Sequence, residues 1–152
     1  MSSSVEREGI EVKDAMDFIL GGHSEFTIKN LNSGKEFKYK VTEASDKKGM
    51  FFIKVLMNGS YQYAGYLKVD SYGMYYTKGK KGILEGNSEP IKGITWAIRK
   101  GKRPLPRPMI MYHHGRCACC GRALDDEKSI ERGFGPVCWD RLQAREEAMN
   151  ND

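Results

Sequence analysis

No stretch of the 152-residue chain approaches the ~18 consecutive apolar residues that a membrane-spanning helix needs. The opening MSSSVEREGIEVKDAM lacks the basic-then-apolar pattern of a secretory signal. A cytoplasmic protein with no membrane partner is therefore expected. In such a reducing compartment clustered cysteines serve as metal ligands rather than disulfides. Common catalytic motifs are missing too. The basic loop from Thr77 to Gly82 lacks the Gly-x-x-x-x-Gly-Lys-Ser/Thr spacing that cradles a nucleotide phosphate. The chain has no His-Glu-x-x-His, no Gly-x-Ser-x-Gly and no Pro-Cys-x-x-Cys of the zinc deaminases. No enzyme is predicted.

Acidic residues are absent from Pro90 to Leu124, although the net charge is only +5. The acids gather at the ends, as Glu6, Glu8, Glu11, Asp14 and Asp17, then Glu146, Glu147 and Asp152. Between them lie Lys78, Lys80, Lys81, Arg99, Lys100, Lys102, Arg103 and Arg107. A basic middle between acidic ends predicts a surface that meets a polyanion, with these side chains on nucleic-acid phosphates. A lysine-rich solvated surface would carry the same charges. Arg116 and Arg122 have two readings as well: phosphate contacts, or bonds to the carbonyls of a nearby metal knuckle.

A hydrophobic content of 39 %, with 8 Tyr and 6 Phe, belongs to a folded chain. The length allows one domain, or a modest domain plus a small metal-stapled module. Residues 1 to about 9 are polar and expected to be loose. Val12, Ala15, Met16, Ile19 and Leu20 fall at helical spacing and predict a helix over 11–20, ended by Gly21 and Gly22. Residues 25–77 alternate apolar and polar positions between turn signals such as Asn32-Ser33-Gly34 and Asn58-Gly59, which predicts an antiparallel meander of about five strands. Its tyrosines are dense. Tyr61 and Tyr63 share one face by the two-residue period, with Lys68 and Lys78 near in sequence. They suit either base stacking or plain cross-strand packing. Ser88 and Pro90 open a helix over 89–100, with Ile91, Ile94 and Ile98 on one face and Gly101 beyond it.

Lys102 to Pro108, KRPLPRP, reads as a basic proline-rich linker between an α+β domain (1–101) and a module over 109–152. That module holds all four cysteines. Cys117 and Cys120 form a Cys-x-x-Cys knuckle with Gly121 behind it. Cys138 follows Gly133, Gly135 and Pro136, where a helix would begin. Thiolates at a helix N-terminus are favoured by its dipole, and four Cys or His donors close a tetrahedral zinc site. One structural zinc ion is predicted on Cys117, Cys120 and Cys138, in a treble-clef-like finger. His113, His114 and Cys119 are all within reach as the fourth ligand, Cys119 being disfavoured by its place inside the knuckle.

The pattern CxxCGRxL, then Asp126, Ser129-Ile130 and GFGPxC, resembles a small zinc-finger family of unknown function found in phage and plasmid proteins. Cys117, Cys120, Gly121, Arg122, Leu124, Gly133, Gly135, Pro136 and Cys138 carry the likeness. So does the aromatic-His-x-Gly-Arg lead-in of Tyr112, His113, Gly115 and Arg116. Asp125 and Glu127 depart from the family's usual Thr and Pro. The resemblance implies His113 as fourth ligand and no particular activity. It also offers a second partner class, a host or anti-phage defence protein in place of nucleic acid.

Overall fold

The computed structural model describes residues 9–150; the expectation of a loose N-terminus lies, apart from Gly9, outside the described residues. Where aromatic and β-branched residues alternate with polar ones the chain forms β2 (His23–Asn30), β3 (Glu36–Glu43), β4 (Met50–Met57), β5 (Ser60–Asp70) and β6 (Gly73–Thr77). Each pairs antiparallel with the next, which is the expected meander. Two strands extend it beyond β2: β7 (Met109–His113) and β1 (Ile10–Glu11). Among the described residues the sheet therefore has seven strands, in the order β1-β7-β2-β3-β4-β5-β6, not five. A two-residue strand such as β1 is too short to leave a periodic signal.

The first helix is also shorter than expected. Val12 donates its N–H to the Met111 carbonyl at 2.9 Å, which keeps the chain extended after β1. The helix α1 (Ala15–Ile19) starts only at Asp14, whose carboxylate caps the Asp17 N–H at 2.9 Å. The second helix, α2 (Glu89–Arg99), follows its predicted span closely, although the Ser88 hydroxyl bonds the Glu85 carbonyl rather than capping the helix.

Sheet alternation sets up two unlike faces. Phe26, Ile28, Tyr39, Val41, Ile53, Val55, Leu67 and Met111 are buried on one face, against Phe18 and Ile19 of α1 and Ile91, Ile94 and Ile98 of α2. Tyr39 is pinned there by donating its hydroxyl to the Pro90 carbonyl at 2.7 Å. The other face presents half-buried Lys38, Lys40, Thr42, Phe52, Tyr63 and Tyr66, and exposed Lys54.

Residues 102–108 are tied down along their length. Leu105 is buried, and the Arg103 and Pro108 carbonyls accept from the Ala15 and Leu31 N–H groups. Lys102 pairs with Asp17 and Glu146, and Arg107 grips Glu11 through two bonds at 2.8 and 3.3 Å. Met111, Leu124 and Phe134 belong to the same core as Phe18 and Phe26. Beyond the cysteine knuckle the chain forms a short helix, α3 (Glu127–Arg132). Asp126 caps the Ser129 N–H, and Gly133 closes the helix at φ +83°. The last helix is α4 (Pro136–Asn150). Among the described residues no helix is long and apolar enough to cross a membrane.

Candidate metal centre

The knuckle is a backbone construction first. The Gly121 N–H returns to the Cys117 carbonyl at 2.9 Å, with Gly121 at φ +79°. The Cys117 N–H reaches the Arg122 carbonyl at 2.8 Å, and Arg116 bridges Ala123. Ala118 ties this loop to the fold on both sides: its N–H donates to the Gly133 carbonyl at 2.8 Å and its carbonyl accepts from the His23 N–H at 2.7 Å. Pro136 begins α4, so Cys138 projects from that helix's first turn. The result brings the sulfurs of Cys117, Cys120 and Cys138 within 4.8 Å of one another.

Three thiols so placed can hold a metal ion. Sulfurs on one tetrahedral zinc, each about 2.3 Å from it, stand about 3.8 Å apart, so the observed cluster is close to a ligand set. The Cys117 sulfur accepts N–H groups from Cys119 at 3.4 Å and Gly135 at 3.3 Å. Burial pushes the Cys117 thiol up, but the N–H groups of Gly135, Cys120 and Cys119 outweigh it and hold its pKa low. Burial and the neighbouring sulfurs of Cys119 and Cys117 push Cys138 strongly up instead. A thiol biased towards ionising, Cys117, beside one that resists it, Cys138, is a site that lacks positive charge, and a cation would reverse that resistance.

The His113 nitrogens lie outside this cluster of sulfurs. His113 is only 1 % exposed, on the core face of β7 with Met111. Its Nδ1 accepts the Gly115 N–H at 3.0 Å, and its Nε2 stands 3.0 Å from the Ile130 carbonyl, to which it donates. The ring stacks on Phe18 with centroids 5.2 Å apart. Burial lowers its pKa to about 4, so it is a neutral imidazole with both nitrogens committed to backbone. The expected Cys₃His set is therefore not brought together here: three sulfurs cluster and the imidazole stands apart from them. His114 points to the other face, against Tyr112. Cys119 lines a different cavity, between α1 and α4, with Met16, Leu20 and Cys138. The cysteine cluster itself borders a cavity of about 170 Å³ lined also by Arg122, Asp125 and Asp126. Arg116 takes its structural reading, donating to the Gly121 carbonyl at 3.1 Å.

The predicted phosphate contacts do not form one patch. Lys78 pairs with Glu85 at 3.0 Å, Lys102 with Asp17 and Glu146, and Arg107 with Glu11. Lys100 lies over the Trp96 ring at 5.0 Å, near Arg99 and Arg103 at the end of α2, on the helix-covered side of the sheet. Lys80 and Lys81 sit across the sheet from them. They line a groove of about 660 Å³ on the open face with Phe52, Lys54, Tyr63 and Tyr66. Sequence reasoning missed Phe52, Lys54 and Tyr66 here; period-two alternation was the available signal for Phe52 and Lys54, which share one strand face, but not for Tyr66.

Residues 111–143 match a family model described as "Family of unknown function (DUF6011)". The matched span runs from β7 through the three clustered cysteines into α4. No curated protein and no solved structure matches the chain.

Proposed function

We propose that this is a small zinc-stabilised protein that binds nucleic acid through the open face of its sheet. The observation that carries the reading is the groove in which Lys54, Lys80 and Lys81 converge around aromatic rings with no Asp or Glu in the lining. Lysines gathered at a concave site without carboxylates favour a polyanion, and phosphate is the anion that a nucleic acid offers. Zinc on Cys117, Cys120 and Cys138 has a structural role here. Cys117 and Cys138 are buried in the core, and metal binding of ~10–16 kcal/mol in finger peptides is large against the few interactions of so short a segment. A fourth donor comes from Cys119, whose sulfur neighbours that of Cys138, or from water. Knuckle, bridge and ligand-bearing helix support a treble-clef-like finger, and the likeness of Tyr112–Cys138 to phage and plasmid fingers fits this reading. A reducing, cytoplasmic setting suits a protein that keeps thiols free for a metal.

Two measurements test it. Metal analysis should find one zinc per chain, and Cys138→Ala should release it and speed hydrogen exchange over residues 109–148; unchanged zinc in that variant refutes the site. Labelled duplex and single strand, titrated across a salt series, should bind with affinity that falls steeply as salt rises. Absence of binding to either at about 50 mM salt removes the nucleic-acid reading. The open face would then belong to a protein partner.

A further inference from the structure

We infer that the ligand of the open face is an unpaired strand, with bases stacked on Phe52, Tyr63 and Tyr66 and phosphates on Lys54, Lys80 and Lys81. The inference rests on the nucleic-acid reading above and deepens it. It begins with a backbone irregularity. Tyr63 and Tyr66 are three residues apart, a spacing that puts them on opposite faces of a regular strand. Yet Lys54 pairs with Tyr63 and Phe52 with Tyr66, and the register shifts between Ile53 and Lys54. The extra residue at Ala64–Gly65 is a β-bulge, and it turns both tyrosines to the open face.

The bulge is held from the next strand. The Tyr76 hydroxyl lies 2.7 Å from the Ala64 and the Leu84 carbonyl oxygens, able to donate to either. Gly65 leaves no room for a side chain beneath that hydroxyl. Bulges re-aim side chains, and here the re-aimed pair joins Phe52 in one concave floor. Phe52 and Tyr63 meet at 63° with centroids 6.1 Å apart, rather than stacking on each other. Aromatic rings on a sheet face with lysines at their rim are the arrangement on which unpaired bases stack, and every base has a face to offer. Bases within a duplex are already stacked on one another, so a duplex would meet only the lysines.

The same face continues towards the finger. Lys40 stands 4.3 Å over the Tyr61 ring, and a second depression holds Lys38, Tyr61 and Arg116, with Glu25 as its carboxylate. This gives a strand of several nucleotides a path from the Lys80–Lys81 loop towards Lys38 and Tyr61.

The test is fluorescence anisotropy of the full-length protein. Labelled oligothymidine, oligouridine and a duplex, each of about 12 nucleotides or base pairs, are compared at one salt concentration. The unpaired strands should bind at least about tenfold more tightly than the duplex, and the ratio of the two strands tells DNA from RNA as the source. Tyr63→Leu and Tyr66→Leu should each weaken strand binding about 5- to 150-fold and so narrow the ratio of strand to duplex affinity. Lys80→Ala with Lys81→Ala should weaken both and flatten the salt dependence. Thermal unfolding confirms that each variant is folded; should the tyrosine variants unfold, the strand-to-duplex ratio of the unaltered protein decides alone. Equal binding of strand and duplex overturns the inference and leaves the nucleic-acid reading standing. No binding of any of the three removes both.

Discussion

Replacing His113 separates a metal ligand from a structural histidine. In His113→Ala the Gly115 N–H loses its acceptor and the Ile130 carbonyl its donor, each bond being 3.0 Å in the native protein. An unsatisfied buried group costs about 1–3 kcal/mol, and the space left beside Phe18 adds a cavity cost. Water entering that space offsets part, so a loss of roughly 3–5 kcal/mol is expected. At about 2–4 °C per kcal/mol for a chain of this size, the midpoint of thermal unfolding should fall by roughly 6–20 °C. His113→Phe, which keeps the ring against Phe18, should lose less. Zinc content measured in the cold, where both variants are folded, should stay at one per chain. The titration has a sign as well. The folded pKa of about 4 lies below the ordinary 6.5, so the unfolded chain binds more protons between those values. The stability that His113 contributes is thus complete above about pH 6.5 and lost as pH falls towards 4, and His113→Phe should abolish that slope. Loss of zinc from a folded His113→Phe protein with little change in its unfolding midpoint would refute this reasoning and make His113 a ligand.

Two further substitutions probe other parts of the structure. In Gly65→Ala the new methyl would collide with the Tyr76 hydroxyl and sit 2.7 Å from the Thr77 carbonyl oxygen, at φ +157°. A loss of roughly 1–3 kcal/mol is expected in denaturant unfolding with zinc content unchanged, and an unaltered midpoint would show that the bulge is not held as described. Asp17 is raised to about 7, first by burial and then by Glu146 and Asp14, against the opposing charge of Lys102. The folded chain therefore binds the extra proton, and stability falls as pH rises from about 4 to 7, by at most about 1.4 kcal/mol per pH unit. Asp17→Asn should gain on the native protein across that range, as measured by unfolding at pH 4 and pH 8; a constant difference between the two would refute it. His113 slopes the opposite way over much of the same range, so only the difference between variant and native protein isolates either group.

The parts of the fold legible in the sequence are those set by local chemistry. The meander is written in alternation and in turns such as Asn58-Gly59, where Asn58 adopts φ +54° and Gly59 φ +84°. The second helix is written in Ser88, Pro90 and its isoleucine stripe. What could not be read depends on distant partners. The strand β1 exists because β7 offers it an edge, and β7 lies about a hundred residues further along the chain. That pairing in turn shortens α1, since Val12 is already spent on Met111. The segment 102–108 has a linker's composition, yet Leu105 has a core to enter and Lys102 and Arg107 have carboxylates to meet.

The cysteine knuckle and the histidine beside it show the same division within the eight residues 113–120. Cys117 and Cys120 belong to one turn, whose closure by Gly121 is a local matter, so their spacing reveals them. Whether His113 joins them depends on which way a strand faces. Met111 and His113 have the same parity in β7, and a register that buries an apolar Met111 must bury His113 with it. Parity was therefore a usable signal that the His113 ring faces the core and Phe18. No comparable rule reaches Tyr66, because parity would have assigned it to the wrong face. The bulge that reverses it is fixed by Tyr76 from the neighbouring strand and by the missing side chain of Gly65. A candidate site assembled by such a device can be found only once the strands are paired. The face that alternation assigns to Lys54 and Phe52 then becomes the place where the tyrosines also meet.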